Sequence, residues 1–447
     1  MKRISLSAAA CLAIFLTAPA TRADDLLEII EAALAQDPVF GAAEHAYASE
    51  VESLPQARSA LLPELSLDYQ RNYTSQEVVE SENTVFALGS DRFYSDNTGL
   101  RLTQNIFDWE RRSRLNQSRA TVSRAEAELL EARQGLFLRS AEAYFGVLEK
   151  IDQLATVTDE MSALERHYQL AERRAESGLG RDVDVDDAEA RYLTAVAKGI
   201  EIQSALADSL YAVSVLTGWL PGPLDPLRED LDFLPPMPAD PAEWVAIAAE
   251  SNPVIIGRQH ALEEAAQEVR ARKGARFPTL DLVLADATQD TDGSVFGGGS
   301  VVDRGDISLE FKLPFYQGGL TGSRIRQALS DEQRATEELT QARRESEREV
   351  RDAYQRVVAS IAQIEALTQS VAAQQRTLDL KTAGYNSGRY NILEVLDAQQ
   401  DLSRVQQSET KARYDYALNT LRLKRAVGML TVQDLETVNG WLVPGGN

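Results

Sequence analysis

The chain has 447 residues, 46 basic against 69 acidic side chains, a formal charge of -23, one cysteine and three histidines. So acidic a surface excludes nucleic acid as a partner, because binding to phosphates rests on clustered Lys and Arg. One cysteine excludes a disulfide framework, and no His or Cys stands in a metal-ligand spacing.

Residues 1–23 read as a secretory signal peptide. Lys2 and Arg3 precede an apolar run from Ile4 to Leu16, and small residues end at Ala20 and again at Ala23, the preferred boundary. Lys2, Arg3 and Arg22 leave with this segment, so 43 basic side chains face 69 acidic ones and the formal charge becomes -26. No later window is apolar enough for a membrane-spanning helix, but that test does not detect β-barrels, whose strands are only half apolar.

Residues 24–220 and 244–430 are two copies of one unit. Gln36-Asp37-Pro38-Val39 matches Ser251-Asn252-Pro253-Val254 at an offset of 215, and Tyr144, Gly178, Val185 and Gly218 match Tyr354, Gly388, Val395 and Gly428 at an offset of 210. Each copy opens with helix, restarted at Pro38 and Pro253 and stopped by Pro63 and Pro278. The first of these helices is expected to run unbroken from Pro38 to about Leu62.

Past each stopping proline the apolar period changes to two. Leu65, Leu67 and Tyr69 alternate with Ser66, Asp68 and Gln70, and Ile307, Leu309 and Phe311 alternate with Ser308, Glu310 and Lys312. The pattern predicts β-hairpins over about 64–106 and 279–314, with 74–96 and 289–304, including Gly297-Gly298-Gly299, as polar or glycine-rich exterior loops. A charge at every second strand position suits a wet lumen; an ordinary two-faced sheet is the other reading.

Long helices follow, over 108–177 and 182–218 in the first copy and 320–385 and 391–428 in the second. Val147, Leu154, Met161 and Tyr168 recur every seven residues, as do Val350, Val357, Ile364, Val371 and Leu378, which specifies coiled-coil packing. The two shorter helices of a copy together approach the long one in length, so stacked end to end they would lie beside it. Residues 221–243 are a proline-rich linker and 431–447 a C-terminal tail.

Four strands cannot close a barrel by themselves, so if these form one, several chains must share it. Together these residues resemble the TolC-like outer-membrane efflux and secretion channels of Gram-negative bacteria. The resemblance covers nearly all of the mature chain. It rests on Asp37-Pro38 and Asn252-Pro253, on Leu61-Leu62-Pro63 and Phe277-Pro278, on Asn105-Ile106-Phe107-Asp108 and Leu313-Pro314-Phe315-Tyr316-Gln317-Gly318-Gly319, and on Gly178-Leu179 to Asp184-Val185 and Gly388 to Val395-Leu396-Asp397-Ala398. It implies an α+β membrane protein and a homotrimer. Four strands per chain would build a 12-stranded transmembrane β-barrel, set in outer-membrane lipid and continued by a periplasmic α-barrel. It also implies a periplasmic adaptor, or membrane fusion protein, and an inner-membrane transporter as partners, and passive export of small molecules or proteins. No enzymatic role or cofactor is expected, since neither a nucleophile elbow nor a phosphate loop occurs. The rival reading is a non-membrane periplasmic or secreted coiled-coil structural protein.

The hairpin turns carry the candidate site. Glu394 and Asp397 lie three apart near a helix N-terminus, as do Asp184 and Asp187 in the first copy. Such acids also complement a helix dipole, with Asp182 as N-cap, and from sequence both roles stand. The resemblance maps Glu394 and Asp397 onto an acidic pore constriction, with glutamate in place of the family's aspartate at 394. It implies a gating latch in which Asp184 is held by Tyr385 and an arginine, with Asp187 beside it; Tyr390 stands where that arginine would be and Arg389 one place earlier. Gly178, Leu179 and Gly388 are the implied adaptor docking points. The aspartates at 182, 184, 186 and 187 lack the later glycine and acid of a helix-loop-helix calcium loop.

Overall fold

The computed structural model describes residues 24–80, 89–178, 180–294 and 297–443. The leader and Leu179 lie outside these residues. In the first copy come α1 (Leu26–Gln36), α2 (Pro38–Val51), α3 (Ser53–Ser59), β1 (Glu64–Val78), β2 (Gly89–Phe107), α4 (Trp109–Glu176) and α5 (Asp182–Thr217). The second holds α6 (Pro241–Ser251), α7 (Pro253–Gly274), β3 (Thr279–Ser294), β4 (Gly297–Lys312), α8 (Leu320–Asn386) and α9 (Ile392–Val427), and α10 (Val432–Asn439) follows.

The Asp/Asn-Pro motifs work as helix restarts. The Asp37 carboxylate accepts from Phe40 N at 2.9 Å and the Asn252 side-chain oxygen from Val254 N at 2.8 Å, while the proline next in line has no N–H that needs an acceptor. Asp37 is also held by Arg139 at 2.7 Å, which ties the restart to α4. The unbroken first-copy helix expected from Pro38 to Leu62 is corrected here: it divides at Glu52. Pro55 offers no N–H to the carbonyl of Val51 and its ring crowds that carbonyl, whereas α7 has no internal proline and stays whole.

The strands form one antiparallel sheet in the order β1-β2-β3-β4, leaving β1 and β4 as open edges. Register sets Leu65 opposite Leu102, Leu102 opposite Leu284 and Leu284 opposite Ile307, so all four strands turn their apolar residues to the same face. In the single chain Leu67 is 71% exposed and Ile307 78%, and the other face carries Asp68, Arg101 and Glu310. The exterior loops expected over 74–96 and 289–304 are a second correction. Thr74–Val78, Gly89–Asp96, Gln289–Ser294 and Gly297–Arg304 are paired strand, matched residue for residue from Thr74 opposite Phe93 to Thr288 opposite Asp303. Polar strand residues hid this extension; cross-strand contacts carry it, with Tyr73 and Tyr94 ring centroids 5.1 Å apart and Thr288 bonded to Asp303 at 2.8 Å. The strands have 15 to 19 residues, against about 10 that would span a bilayer.

With 68 and 67 residues, α4 and α8 are each about 100 Å long. Between them lie α7 and α9 in line, and α2, α3 and α5 cover the far side of α4. The heptad positions form the seams: Val147, Val157 and Leu164 of α4 and Val350, Val357 and Ile364 of α8 are buried. The repeat mates Tyr144 and Tyr354 do the same work, donating hydrogen bonds to the carbonyls of Asp225 and Ala239 and so fastening the linker around the helices at mid-height. Burial pushes the Tyr144 hydroxyl far up, so it stays a donor. At one end of this column stand the strands, and at the other the two hairpin turns.

Candidate functional site: the hairpin tips

Each long helix ends in a glycine with left-handed backbone, Gly178 at φ 73° and Gly388 at φ 75°, both exposed and, among the described residues, with nothing where a side chain would project. Past the second turn the Asn391 side chain caps α9 by accepting from Glu394 N at 2.9 Å. Past the first, the cap expected from Asp182 is corrected: α5 begins at Asp182 itself, and Arg181 precedes it without a side-chain cap bond.

In α9 the buried residues Val395, Leu396 and Ala398 pack into a core with Leu164 and Ala188. That packing forces Glu394 and Asp397 to the other side of the helix, where Glu394 is half-buried and Asp397 exposed. Asp397 does not stand alone: its Oδ1 lies 2.6 Å from Arg191 Nη2 of α5, and Arg191 also donates to Gln400 at 3.4 Å. Arg191 went unnoticed in the sequence. Its repeat mate at the 210 offset is Asp401, a reversal of charge that marks the position once the copies are aligned.

The latch residues are placed differently within one chain. Asp184 is gripped two-handed by Arg181, at 2.7 and 3.2 Å, and Asp187 adds to the negative field around that guanidinium. Tyr385 is buried, with the Arg174 guanidinium 4.4 Å above its ring. The Tyr390 ring lies against Gly384, filling the space a side chain there would need. Arg389 is exposed and, among the described residues, forms no ion pair. The expected grouping of Asp184 with Tyr385 and Arg389 therefore does not form inside one protomer; Arg181, three residues before Asp184, and Arg174, which reaches Tyr385 across from α4, take those partners first.

Behind the tip, between α4, α5 and α9, a cavity of about 220 Å³ is lined by Glu160, Arg191, Lys198, Gln400 and Arg404. Glu160 is only 6% exposed and, among the described residues, its Oε2 has no hydrogen-bond partner. Burial pushes its carboxyl above the ordinary range, against the pull of Lys198, Ser403 and Arg404. Burial likewise holds His167 below its usual value, with Arg166 adding to the effect. Among the described residues no group of His, Cys, Asp and Glu is arranged to hold a metal ion, and no helix is long and apolar enough to cross a membrane.

Comparison with known proteins gives this geometry its setting. The family model described as outer membrane efflux protein matches residues 29–219 and 244–429. Outer membrane protein TolC of Escherichia coli strain K12 is 29% identical over 435 residues, 94% of this chain and 86% of that protein. The alkaline protease secretion protein AprF of Pseudomonas aeruginosa is also 29% identical, over 94% of this chain and 88% of its own length. Among solved structures, the CmeC outer membrane channel of Campylobacter jejuni superposes with a TM-score of 0.81 at 15% identity, covering 94% of this chain and 90% of that one. The VceC outer membrane protein of Vibrio cholerae gives 0.78 at 21% identity, covering 90% and 96%.

Proposed function

Because the chain belongs to the outer membrane efflux protein family, we propose that it is a passive exit duct whose entrance, at the hairpin tips, is gated by charge and opened by docking. Its place is the outer membrane, with the helical tunnel in the periplasm, and its class is the channel of tripartite efflux or type I secretion systems. Members of this class act as homotrimers with periplasmic adaptors and inner-membrane transporters. The observation that carries the duct reading is the sheet: an apolar face exposed in the single chain, a charged face behind it and two unpaired edges, standing on helices about 100 Å long. Three such sheets joined edge to edge bury every open edge and turn the charged face inward.

At the entrance, Glu394 and Asp397 form the pore constriction, repeated around the threefold axis as rings that favour cations. Asp184 and Asp187, with Tyr385 and Arg389, act in gating through contacts between protomers. Gly178, Leu179 and Gly388 are where the adaptor docks, which the exposure and left-handed backbone of the two glycines support. A strain deleted for the chain tests the proposal when assayed both for sensitivity to toxic small molecules and for its secreted proteins. Loss of either export, restored by the chain but not by a form truncated before α8, is the expected result. Unchanged export of both, with the protein recovered as a soluble periplasmic monomer, would return the chain to the coiled-coil structural reading.

A further inference from the structure

At mid-height, well away from the hairpin tips, a cleft of about 540 Å³ opens between α4, α8 and α9, and its walls carry five arginines against three acids. In a chain with 69 acidic and 46 basic side chains, that local excess of positive charge runs against the whole. Three of the arginines are already held: Arg139 by Asp37 at 2.7 Å, Arg348 by Asp352 at 3.0 Å and Arg422 by Glu142 at 2.8 Å. The other two are Arg356 of α8 and Arg425 of α9. Among the described residues their side chains form no ion pair and no hydrogen bond, so two guanidiniums on different helices line one cleft with their donors unused.

We propose that this cleft binds a small solute with two oxyanion groups, carboxylate or phosphate, one held by Arg356 and the other by Arg425. A guanidinium presents a planar fork of donors that matches either oxyanion bidentately. Two free forks on separate walls favour a ligand that bridges α8 and α9 over a single anion. The linker and α10 leave this side of α9 open. They engage it through Arg413, which donates to Arg228 O at 2.7 Å, and through Lys424, 3.3 Å from Asp434. Arg413 and Arg422 stand about two and a half turns apart, hence on opposite sides of α9. Lipid headgroups are out of reach, because Arg139 lies about 45 Å along α4 from its start at Trp109, beside the strands. The site is complete within one chain and goes beyond the duct reading, on which it does not depend.

The test is calorimetric titration of the purified protein in neutral detergent with pyrophosphate, citrate and acetate. Pyrophosphate and citrate should bind, and acetate, with a single oxyanion, about 10-fold more weakly or worse. Arg356→Gln and Arg425→Gln should each weaken pyrophosphate binding about 10-fold or more, the loss of one charged hydrogen-bonded contact. Glu349 is the one acid of the cleft with no ion pair among the described residues, so Glu349→Gln removes a like charge and should tighten binding about threefold. Arg356 and Glu349 are both exposed, so those two variants should melt like the parent without ligand and decide the matter even if Arg425→Gln unfolds early. No binding of pyrophosphate by the parent, acetate binding as tightly as pyrophosphate, or parental affinity in Arg356→Gln would overturn the proposal.

Discussion

Replacing Gly428 by alanine places a methyl group into the joint where α9 ends against the break between α6 and α7. Gly428 is at φ 83°, and an added Cβ would lie 2.5 Å from Asn252 Cα, 2.6 Å from Pro253 Cδ and 2.6 Å from Ser251 O. Carbon atoms in contact sit about 3.5–4.0 Å apart, so the α6–α7 junction must retreat by about 1 Å. Three hydrogen bonds cross the joint: Ser251 Oγ to Val427 O at 2.8 Å, Asn252 Nδ2 to Ala426 O at 2.8 Å, and Gln134 Nε2 to Gly428 O at 2.7 Å. Left-handed backbone costs alanine about 1–2 kcal/mol and each weakened bond about 1 kcal/mol, so Gly428→Ala should cost about 4–5 kcal/mol. The repeat mate Gly218 is an internal control. It has φ 79°, but its nearest neighbour is Gln36 Cβ at 3.9 Å, so Gly218→Ala should cost only the backbone term, about 1–2 kcal/mol. Calorimetric melting of the detergent-solubilised trimer checks this, with Gly428→Ala lowering the midpoint at least twice as far. Equal shifts would refute the view that the short helices stack end to end through a tight second-copy joint and a loose first-copy one.

Two further outcomes follow from the strands and the tip cavity. Leu67→Arg should cost about 2–4 kcal/mol and reduce heat-stable trimer in membranes, although Leu67 is exposed in the single chain, while Ser66→Arg on the opposite face is tolerated; equal tolerance of both would remove the lipid from that face. Glu160→Gln should stabilise the chain at neutral pH. Because burial raises the folded-state carboxyl above its ordinary value of 4.5, the ionised form destabilises the fold above the folded pKa, and that penalty disappears as pH falls towards 4.5. Melting from pH 7 to pH 4 should show the variant's advantage shrinking to nothing, and an advantage independent of pH would contradict the assignment.

The repeat, the heptads and the alternating strands were legible because each is a period, and a period survives in sequence without knowledge of what lies across from it. Val157 and Val357 are buried where the seven-residue spacing puts them. The strand extensions were not legible, since Ser, Thr, Asp and Gly between Thr74 and Asp96 resemble a loop until Phe93 and Tyr94 are seen opposite Thr74 and Tyr73. Helix continuity at Glu52 failed on a single proline. At the tip, the positions of Glu394 and Asp397 could be read from the buried residues between them, but not the partner of Asp397. An ion pair between distant helices leaves no spacing in the sequence; only the charge reversal between Arg191 and Asp401 pointed to it.

The central claim is that three copies of this chain enclose one water-filled path closed at the hairpin tips. Single-channel recording of the purified protein in a planar bilayer tests it most directly. Discrete, cation-preferring conductance steps, one for each trimer inserted, are the predicted result. A monomeric protein that leaves the bilayer at its baseline conductance would contradict the account.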